Sequence, residues 1–299
     1  MRPGHHGGVL VGVIDVGSNT VRLHVSEDGT ELHREKAILR LGDPIERTGS
    51  IPPEKIAETA ACVQRFVAIA RKEGARRTEV LVASPGRQAA NGLEFVNRLR
   101  VEAGVPVQLL SPEEEGRLAF IGALAANRRG RNSTIAVCDV GGGSSQVAIG
   151  TRRDGVAWVR SVDIGSMRLT SRLLDDDPPG DAALERARAE VRRVLDGFVP
   201  PAPEVALAVG GSARAIRSIV GPDLGPDELD EVAGILARTP AAEIAGLYDV
   251  HLERVKTLAA GALILEALQS RLHVPLRVVR GGGVREGAAI ELAARREAA

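Results

Sequence analysis

One short phrase occurs twice in this chain, and it constrains the fold more than any other feature. The first copy, VIDVGSNT, spans Val13–Thr20, and the second, VCDVGGGSS, spans Val137–Ser145. Each copy is an apolar run that ends in an aspartate, followed by a turn of glycine and small polar residues and then by an alternating apolar run. Each therefore predicts a β-hairpin with a glycine-rich tip and a carboxylate at the end of its first strand.

The atoms of such a tip suit an anion. Glycines let backbone N–H groups converge on one point, and neighbouring polar side chains add donors, so each tip predicts a nest for phosphate. The expected phosphate-binding residues are Gly17, Ser18, Asn19 and Thr20 in the first copy and Gly141, Gly142, Gly143, Ser144 and Ser145 in the second. Asp15 and Asp139 would repel phosphate directly, so we expect them to hold a divalent cation or a water beside it.

The occurrence of two copies distinguishes this pattern from an ordinary turn. A single Asp-Val-Gly hairpin is also explained by turn chemistry, because Asp and Gly are common turn residues. Two copies a domain length apart indicate a duplicated α/β domain, with two phosphate loops that face each other across a cleft. We expect domains at 1–126 and 127–299, with a polar hinge at 127–132 and a last helix that can pack back on the first domain.

Composition limits the partners and the location. A chain of 299 residues with 44% apolar content can bury two cores, and its 39 basic and 39 acidic residues balance. No global basic field favours nucleic acid or a membrane surface, and neither a membrane span nor a signal peptide is recognisable. We therefore expect a cytoplasmic protein. Cys62 and Cys138 lie in apolar patterns that predict core residues, and His5 and His6 are not assigned a metal site.

Three further stretches are candidates for the site. Arg87 lies where a strand gives way to a helix, which suits an anion, although a solvated arginine is the alternative. Gly210, Gly211 and Ser212 form another glycine turn that opens a helix, which packing alone also explains. The helix start at 111–115, SPEEE, is well capped by itself; the functional interpretation makes one glutamate a general base for an attacking water.

These motifs, in this order, resemble those of the exopolyphosphatase and guanosine pentaphosphate phosphohydrolase family, in the superfamily of actin, hexokinase and acetate kinase. The matching stretches are Asp15–Thr20, Arg87, Ser111–Leu118, Asp139–Ser144, Gly210–Ser212 and Val284–Gly287. The resemblance covers essentially the whole chain and implies two actin-like (ribonuclease H-like) domains, each a mixed sheet flanked by helices. It also implies Glu115, the second glutamate of the Ser-Gly-x-Glu-Glu-Ala-x-Leu signature, as the catalytic base.

The resemblance further implies a reaction. It is metal-dependent hydrolysis of the terminal phosphate of inorganic polyphosphate, with release of orthophosphate. The two hairpins, Arg87 and a divalent cation, Mg²⁺ or another, held near Asp139 and Asp15, would bind that phosphate while Glu115 deprotonates water. The expected partner is a polyphosphate or guanosine polyphosphate, not nucleic acid or a membrane. A K⁺ requirement and a homodimer stay open.

Two alternatives also stay open. Removal of the γ-phosphate from guanosine pentaphosphate uses the same motifs. A polyphosphate or nucleotide sensor with little turnover is suggested by two departures from the family pattern: Gln146 stands where a glutamate is usual, and the Ala-Ser-Pro-Gly loop before Arg87 is shortened. Glu115 argues against a sensor, since a binder gains nothing from another carboxylate aimed at phosphate. The additional helical domains of longer members are not in this sequence, so we expect short substrates or lower processivity.

Overall fold

The computed structural model describes residues 8–295, so His5 and His6 lie outside the described residues. Contacts between residues divide the chain into two units. Unit 1 runs to Ser111 and resumes at Val284, and unit 2 runs from Pro112 to Gly283. Each unit contains one mixed sheet flanked by helices, which confirms the predicted fold class.

The sheet of unit 1 has five strands in the order β3-β2-β1-β4-β5. The antiparallel part comprises β1, β2 and β3, and β4 and β5 extend the sheet in parallel from β1. The strands are β1 (Leu10–Val16), β2 (Thr20–Glu27), β3 (Thr30–Ile38), β4 (Arg77–Val82) and β5 (Val107–Leu109).

The sheet of unit 2 has six strands in the order β10-β11-β9-β6-β7-β8. Its antiparallel part is β6, β7 and β8, and β9 and β11 follow in parallel beside β6. The strands are β6 (Ile135–Val140), β7 (Ser145–Thr151), β8 (Gly155–Val162), β9 (Val205–Val209), β10 (Asp223–Leu224) and β11 (Leu276–Val278).

Helices cover both sheets. In the first segment of unit 1, up to Ser111, the helices are α1 (Gly42–Thr48), α2 (Pro53–Lys72), α3 (Ser84–Gln88) and α4 (Gly92–Ala103). In unit 2 they are α5 (Pro112–Ala126), α6 (Ser166–Leu173), α7 (Asp181–Val194), α8 (Gly210–Val220), α9 (Pro226–Arg238), α10 (Ala241–Tyr248), α11 (Leu252–Val255) and α12 (Leu258–Leu272). The last helix, α13 (Val284–Ala294), returns to unit 1. Within residues 8–295, none of the helices combines the length and apolar content that crossing a membrane requires.

The two sheets repeat one plan. In each, a glycine-tipped antiparallel hairpin is followed by a parallel strand that pairs with the first strand of the hairpin. The tips even close with the same bond: the Gly17 N–H donates to the Thr20 carbonyl at 3.1 Å, and the Gly141 N–H to the Ser144 carbonyl at 3.0 Å. The repeated phrase therefore marks a repeated supersecondary structure.

The strand that leads into the first tip is buried on both faces. Ile14 faces a core formed with α2, which contributes Val63 and Phe66. The opposite face of β1 and β2 is covered by α13. The Arg77 side chain fixes that helix by donating to the carbonyl of Leu292 at 3.1 Å and to that of Arg295.

The division between the units differs from the boundary expected after residue 126, because α5 packs on β6, β7 and β8. A Cβ at Gly116 would lie 2.7 Å from Val159, so glycine there lets α5 approach the sheet. At the other end of α5, the Arg152 guanidinium donates to the carbonyls of Leu124, at 2.8 Å, and Asn127. The segment expected to be a hinge is therefore fastened to unit 2.

Both cysteines are core residues, as predicted. Cys62 and Cys138 are buried and form no disulfide. Burial, and then the charge of Asp139, raises the pKa of Cys138 to about 12, and burial also raises the pKa of Cys62. Both thiols are thus protonated at neutral pH and poor nucleophiles.

Candidate active site

The second glycine tip is held by the start of α6. The Gly141 carbonyl accepts the N–H of Ser166 at 2.9 Å, and the Gly142 carbonyl accepts the next N–H of the helix at 3.0 Å. Because the C=O and N–H of a trans peptide point in opposite directions, the N–H groups of Gly142 and Gly143 point away from α6. A Cβ at Gly165 would overlap Gly142, so only glycine allows this approach. The tip has the backbone arrangement of an anion nest.

The two serines of this tip differ in their use. Ser145 is fully buried and its hydroxyl donates to the Ile164 carbonyl at 2.6 Å. The hydroxyl proton is therefore engaged within the protein and is not directed at a phosphate. The hydroxyl of Ser144 lies 2.9 Å from the Gln146 amide nitrogen, which donates to it. The predicted phosphate role of each serine stays a prediction, and the geometry favours Ser144 over Ser145.

Asp139, Gln146 and Ser161 form a row across three strands, since Asp139 pairs with Gln146 and Gln146 with Ser161. The Gln146 amide nitrogen contacts the hydroxyls of Ser144 and Ser161, and its other end, assigned as Oε1, is buried with no hydrogen-bond partner among residues 8–295. An orphaned amide oxygen on the same face as a carboxylate suits a hard cation such as Mg²⁺. The residues present therefore fit the divalent cation expected at Asp139.

Glu115 reaches this row through α5. It lies in the first turn of the helix and is only 9% exposed, whereas Glu113 is exposed and Glu114 pairs with Arg117 at 2.7 Å. The residue after Glu115 is Gly116, where a Cβ would lie 3.5 Å from the Gln146 side chain. The first turn of α5, which carries Glu115, therefore packs on the sheet face that carries Asp139 and Gln146.

The third glycine turn, Gly210–Ser212, opens α8 and also borders Asp139. A Cβ at Gly210 would lie 2.6 Å from the Asp139 carboxylate, and its φ of +93° is itself a conformation that favours glycine. Ser212 is fully buried, and a Cβ at Gly261 would lie 2.7 Å from it. Its hydroxyl has no hydrogen-bond partner in the described part of the chain. Ser212 therefore packs against α12, and its predicted contact with phosphate stays a prediction.

Arg254 is a further candidate for the site, which sequence reasoning missed. Its guanidinium lies against Gly211, where a Cβ would approach within 2.6 Å. Burial lowers the pKa of Arg254, and the positive charge of Arg214 lowers it further. Two partly buried arginines near a helix N-terminus repel each other, and an anion bound between them would reduce that repulsion. No local signal could have found Arg254, because it lies inside an apolar helical pattern far along the chain.

The first glycine tip, in unit 1, is held by different neighbours. The Asn19 carbonyl accepts N–H groups from Leu39 and Arg40, which lie between β3 and α1, and the Ser18 carbonyl accepts the N–H of Gly42, the first residue of α1, at 2.8 Å. The N–H groups of Asn19 and Thr20 therefore point away from that segment. The Ser18 hydroxyl, however, is buried against the hydroxyl of Ser84 at 2.7 Å. Backbone donors rather than the Ser18 side chain suit phosphate here.

Arg87 is oriented by the backbone of unit 1. It lies on α3, directly after β4, and its guanidinium donates to the Leu110 carbonyl at 2.7 Å. Leu110 follows β5 and precedes α5 by one residue. One edge of the guanidinium is thereby fixed, which rules out the fully solvated alternative; its contact with phosphate stays a prediction.

Asp15 differs from Asp139 in its electrostatic surroundings. Burial raises the pKa of Asp15, while the charges of Arg285 and Arg22 lower it and that of Glu286 raises it. Arg22 is its cross-strand partner and Arg285 comes from α13. Since two cations already face this carboxylate, the geometry supports Asp139 better than Asp15 as a metal ligand. The assignment of Asp15 to a metal stays a prediction.

Comparison with known proteins decides the family. A model of the Ppx/GppA phosphatase family matches residues 20–296. This chain belongs to the Ppx/GppA phosphatase family. Exopolyphosphatase 1 of Mycobacterium tuberculosis is 30% identical in an alignment that covers 93% of this chain and 86% of that protein.

Solved structures agree in fold. An exopolyphosphatase-like protein superposes with a TM-score of 0.86 at 22% identity, covering 97% of this chain and 99% of the other. The Ppx/GppA family member of Aquifex aeolicus gives a TM-score of 0.79 at 24% identity, covering 95% and 97%. Together with the two mixed sheets, these similarities confirm the actin-like two-domain fold.

As a Ppx/GppA family member, the protein is a phosphatase, which confirms the predicted hydrolase class. The predicted site residues fall into two sets. Unit 2 carries Glu115, Asp139, the tip Gly141–Ser145 and the turn Gly210–Ser212, and Gln146, Arg214 and Arg254 are further candidates beside them. Unit 1 carries Asp15, the tip Gly17–Thr20 and Arg87. That the two tips face each other across a cleft stays a prediction.

Proposed function

We propose that this phosphatase is an exopolyphosphatase, which hydrolyses the terminal phosphate of inorganic polyphosphate and releases orthophosphate. The observation that supports the proposal is that Glu115 is buried in the first turn of α5, next to Gly116, where a Cβ would lie 3.5 Å from the Gln146 side chain. A carboxylate beside a predicted phosphate and metal site serves hydrolysis, whereas a binding site alone would be weakened by it. The name of the Mycobacterium tuberculosis relative points to the same substrate.

In this proposal Glu115 acts as the general base. The oxygen of a water attacks the terminal phosphorus, the water proton passes to the Glu115 carboxylate, and the anhydride P–O bond breaks toward the shortened polyphosphate. Asp139 and the Gln146 amide oxygen would hold Mg²⁺ or another divalent cation, which neutralises phosphate charge when bound. No protein nucleophile is required.

The anion-binding side of the proposal rests on Arg254 and Arg214 together with the tip Gly141–Gly143. Backbone N–H groups that point to one side bind phosphate oxygens, and the arginines oppose the charge of the remaining chain. A polyphosphate suits two neighbouring arginines, because each of its phosphates carries a negative charge that a guanidinium can neutralise. The phosphate roles predicted for Arg87 and for Gly17–Thr20 add to this set as predictions.

The test is a comparison of substrates. Phosphate release is measured with purified protein and Mg²⁺ on tripolyphosphate, on long polyphosphate and on guanosine pentaphosphate, with the Asp139→Asn variant prepared identically as a blank. The proposal expects release from polyphosphate that exceeds release from guanosine pentaphosphate and that is lost in the blank. Release from guanosine pentaphosphate alone would make the protein a guanosine pentaphosphate phosphohydrolase. Tight binding of all three without release would make it a sensor.

A further inference from the structure

Unit 1 contains a second group of metal-compatible side chains, which differs in kind from the oxygen ligands at Asp139. His24 on β2, Glu31 on β3 and Glu286 on α13 each offer one ligand atom, and these atoms lie within 4.8 Å of one another. The closest pair is His24 Nδ1 and Glu31 Oε2, at 3.2 Å. We propose that these three residues bind one divalent transition-metal ion, such as Zn²⁺ or Mn²⁺, that fastens α13 to the first sheet.

A β-bulge turns Glu31 toward His24. The pairing of β2 with β3 runs in step from Thr20 to Val25 and then shifts, so that Ser26 lies opposite Glu31 instead of Leu32. Since side chains alternate between the two faces of a strand, this shift puts Glu31 on the face of His24 and Ser26. Leu32, the extra residue, is half exposed. Without the bulge Glu31 would point to the opposite face.

The surroundings of His24 favour a ligand. The side chain is buried, at 4% exposure, beside two carboxylates. Ser26, the next residue on the same face, is also buried, and its hydroxyl finds no hydrogen-bond partner within residues 8–295. A buried polar side chain without a partner is unusual, and a metal ion or its bound water beside Ser26 would satisfy it.

The donor set selects the class of metal. One imidazole nitrogen and two carboxylate oxygens suit Zn²⁺, Mn²⁺ and related ions, whereas Mg²⁺ prefers oxygen alone. Neighbouring cations contact the carboxylates on their Oε1 atoms: Arg34 lies 3.7 Å from Glu31, and Arg285 lies 3.5 Å from Glu286. Oε2 of Glu31 is the oxygen that faces His24. An ion pair with a protonated His24 is the competing arrangement.

A metal here would act on the last helix. Glu286 lies in the first turn of α13, and it follows Arg285, whose charge acts on Asp15. His24 and Glu31 are separated from Glu286 by most of the chain. In the unfolded chain these ligands are far apart, so the metal would bind the folded form and stabilise it. The metal would therefore hold α13, and Arg285 with it, against β1 and β2.

The test measures metal binding and not activity. The protein of residues 1–299, with His5→Ala and His6→Ala so that these two histidines cannot account for binding, is stripped with a chelator and titrated with Zn²⁺ and Mn²⁺ by calorimetry. His24→Asn and Glu286→Gln are compared with His33→Asn, a matched control because His33 contacts Glu35 at 3.4 Å on its own strand. Circular dichroism establishes that each variant is folded, and Co²⁺ absorption reports nitrogen ligation.

The proposal expects one Zn²⁺ per chain that 5 mM Mg²⁺ does not displace, roughly tenfold or greater loss of affinity in His24→Asn and in Glu286→Gln, and no loss in His33→Asn. The Tm should rise with Zn²⁺ in the parent and in His33→Asn alone. No binding of Zn²⁺ or Mn²⁺ by the parent would leave the cluster an ion pair and overturn the proposal. Equal loss in His33→Asn would overturn it as well. If His24→Asn does not fold, Glu286→Gln decides by the same criteria.

Discussion

At the scale of single residues, the absence of a side chain at Gly210 makes space for the Asp139 carboxylate. Gly210 has a φ of +93° and a Cβ on it would lie 2.6 Å from the Asp139 carboxylate. Gly221, on the same helix's C-terminal side, has the same φ of +93° and nothing within 4 Å of a Cβ. The two glycines therefore separate backbone strain from the clash with Asp139.

We expect Gly210→Ala and Gly221→Ala to lower the free energy of unfolding by a similar ~1–2 kcal/mol of backbone strain, with an additional loss in Gly210→Ala. Phosphatase activity should fall at least about tenfold in Gly210→Ala, since Asp139 must move, and be retained in Gly221→Ala. Steady-state phosphate release and urea unfolding check both. Equal activities in the two variants would show that the contact with Asp139 has no catalytic effect.

Asp15 is a predicted site residue, and its negative charge lowers the free energy of unfolding because the carboxylate is buried. Burial, the largest cause, raises its pKa in the folded state above the ordinary value of 3.8. The stabilisation linked to its protonated form is therefore present below that value and is lost as the pH rises through the folded pKa. Functional sites commonly hold such destabilising groups.

We expect Asp15→Asn to have a higher free energy of unfolding than the parent at pH 7, because the amide needs no charge in a buried site. The difference should shrink as the pH is lowered toward 3.8. Urea unfolding at several pH values measures it, with Asp154→Asn, an exposed position, as the control. A less stable Asp15→Asn at pH 7 would mean that the pairing with Arg22 and Arg285 outweighs burial.

At the scale of elements, the sequence predicts strands and long helices well, and short helices poorly. The two hairpins lie where the repeated phrase places them. The helices α1 and α3 are hard to recognise in the sequence, because GDPIERT and SPGRQ are short and carry turn residues. The apolar spacing of 251–272 predicts one helix, yet the structure breaks it between α11 and α12 at Lys256 and Thr257. Arg254 lies just before that break, so a single helix concealed its position.

The hydrogen bonds that hold the C-terminal end of α5 give a prediction at the scale of elements. Arg152 donates to carbonyls at that end, whereas Arg153 is 93% exposed. Arg152→Ala should lower the free energy of unfolding by about 1–3 kcal/mol, since several carbonyls lose their donor. Arg153→Ala should change it by less than about 0.5 kcal/mol. Urea unfolding compares the two, and equal values would show that Arg152 does not hold α5.

At the scale of the whole molecule, the repeated phrase is what made the fold predictable. A motif that recurs a domain length later implies two similar sheets, and both have the same hairpin and parallel extension. The division between the units was less predictable. It depends on contacts of Gly116 with Val159 and on the return of α13, which connect residues far apart in sequence. The contact of Arg254 with Gly211 also joins residues far apart in sequence, so local sequence patterns do not predict it.

The central claim is that Glu115 is the base of a phosphate-releasing site, and a pair of neighbouring variants tests it most directly. Glu114 and Glu115 lie on the same helical turn, but Glu114 pairs with Arg117 and Glu115 is buried. Phosphate release from polyphosphate with Mg²⁺ is measured for Glu115→Gln and Glu114→Gln, alongside binding of polyphosphate. We expect release to fall about 10²- to 10⁴-fold in Glu115→Gln with binding retained, and by less than about threefold in Glu114→Gln. Undiminished release in Glu115→Gln would contradict the account.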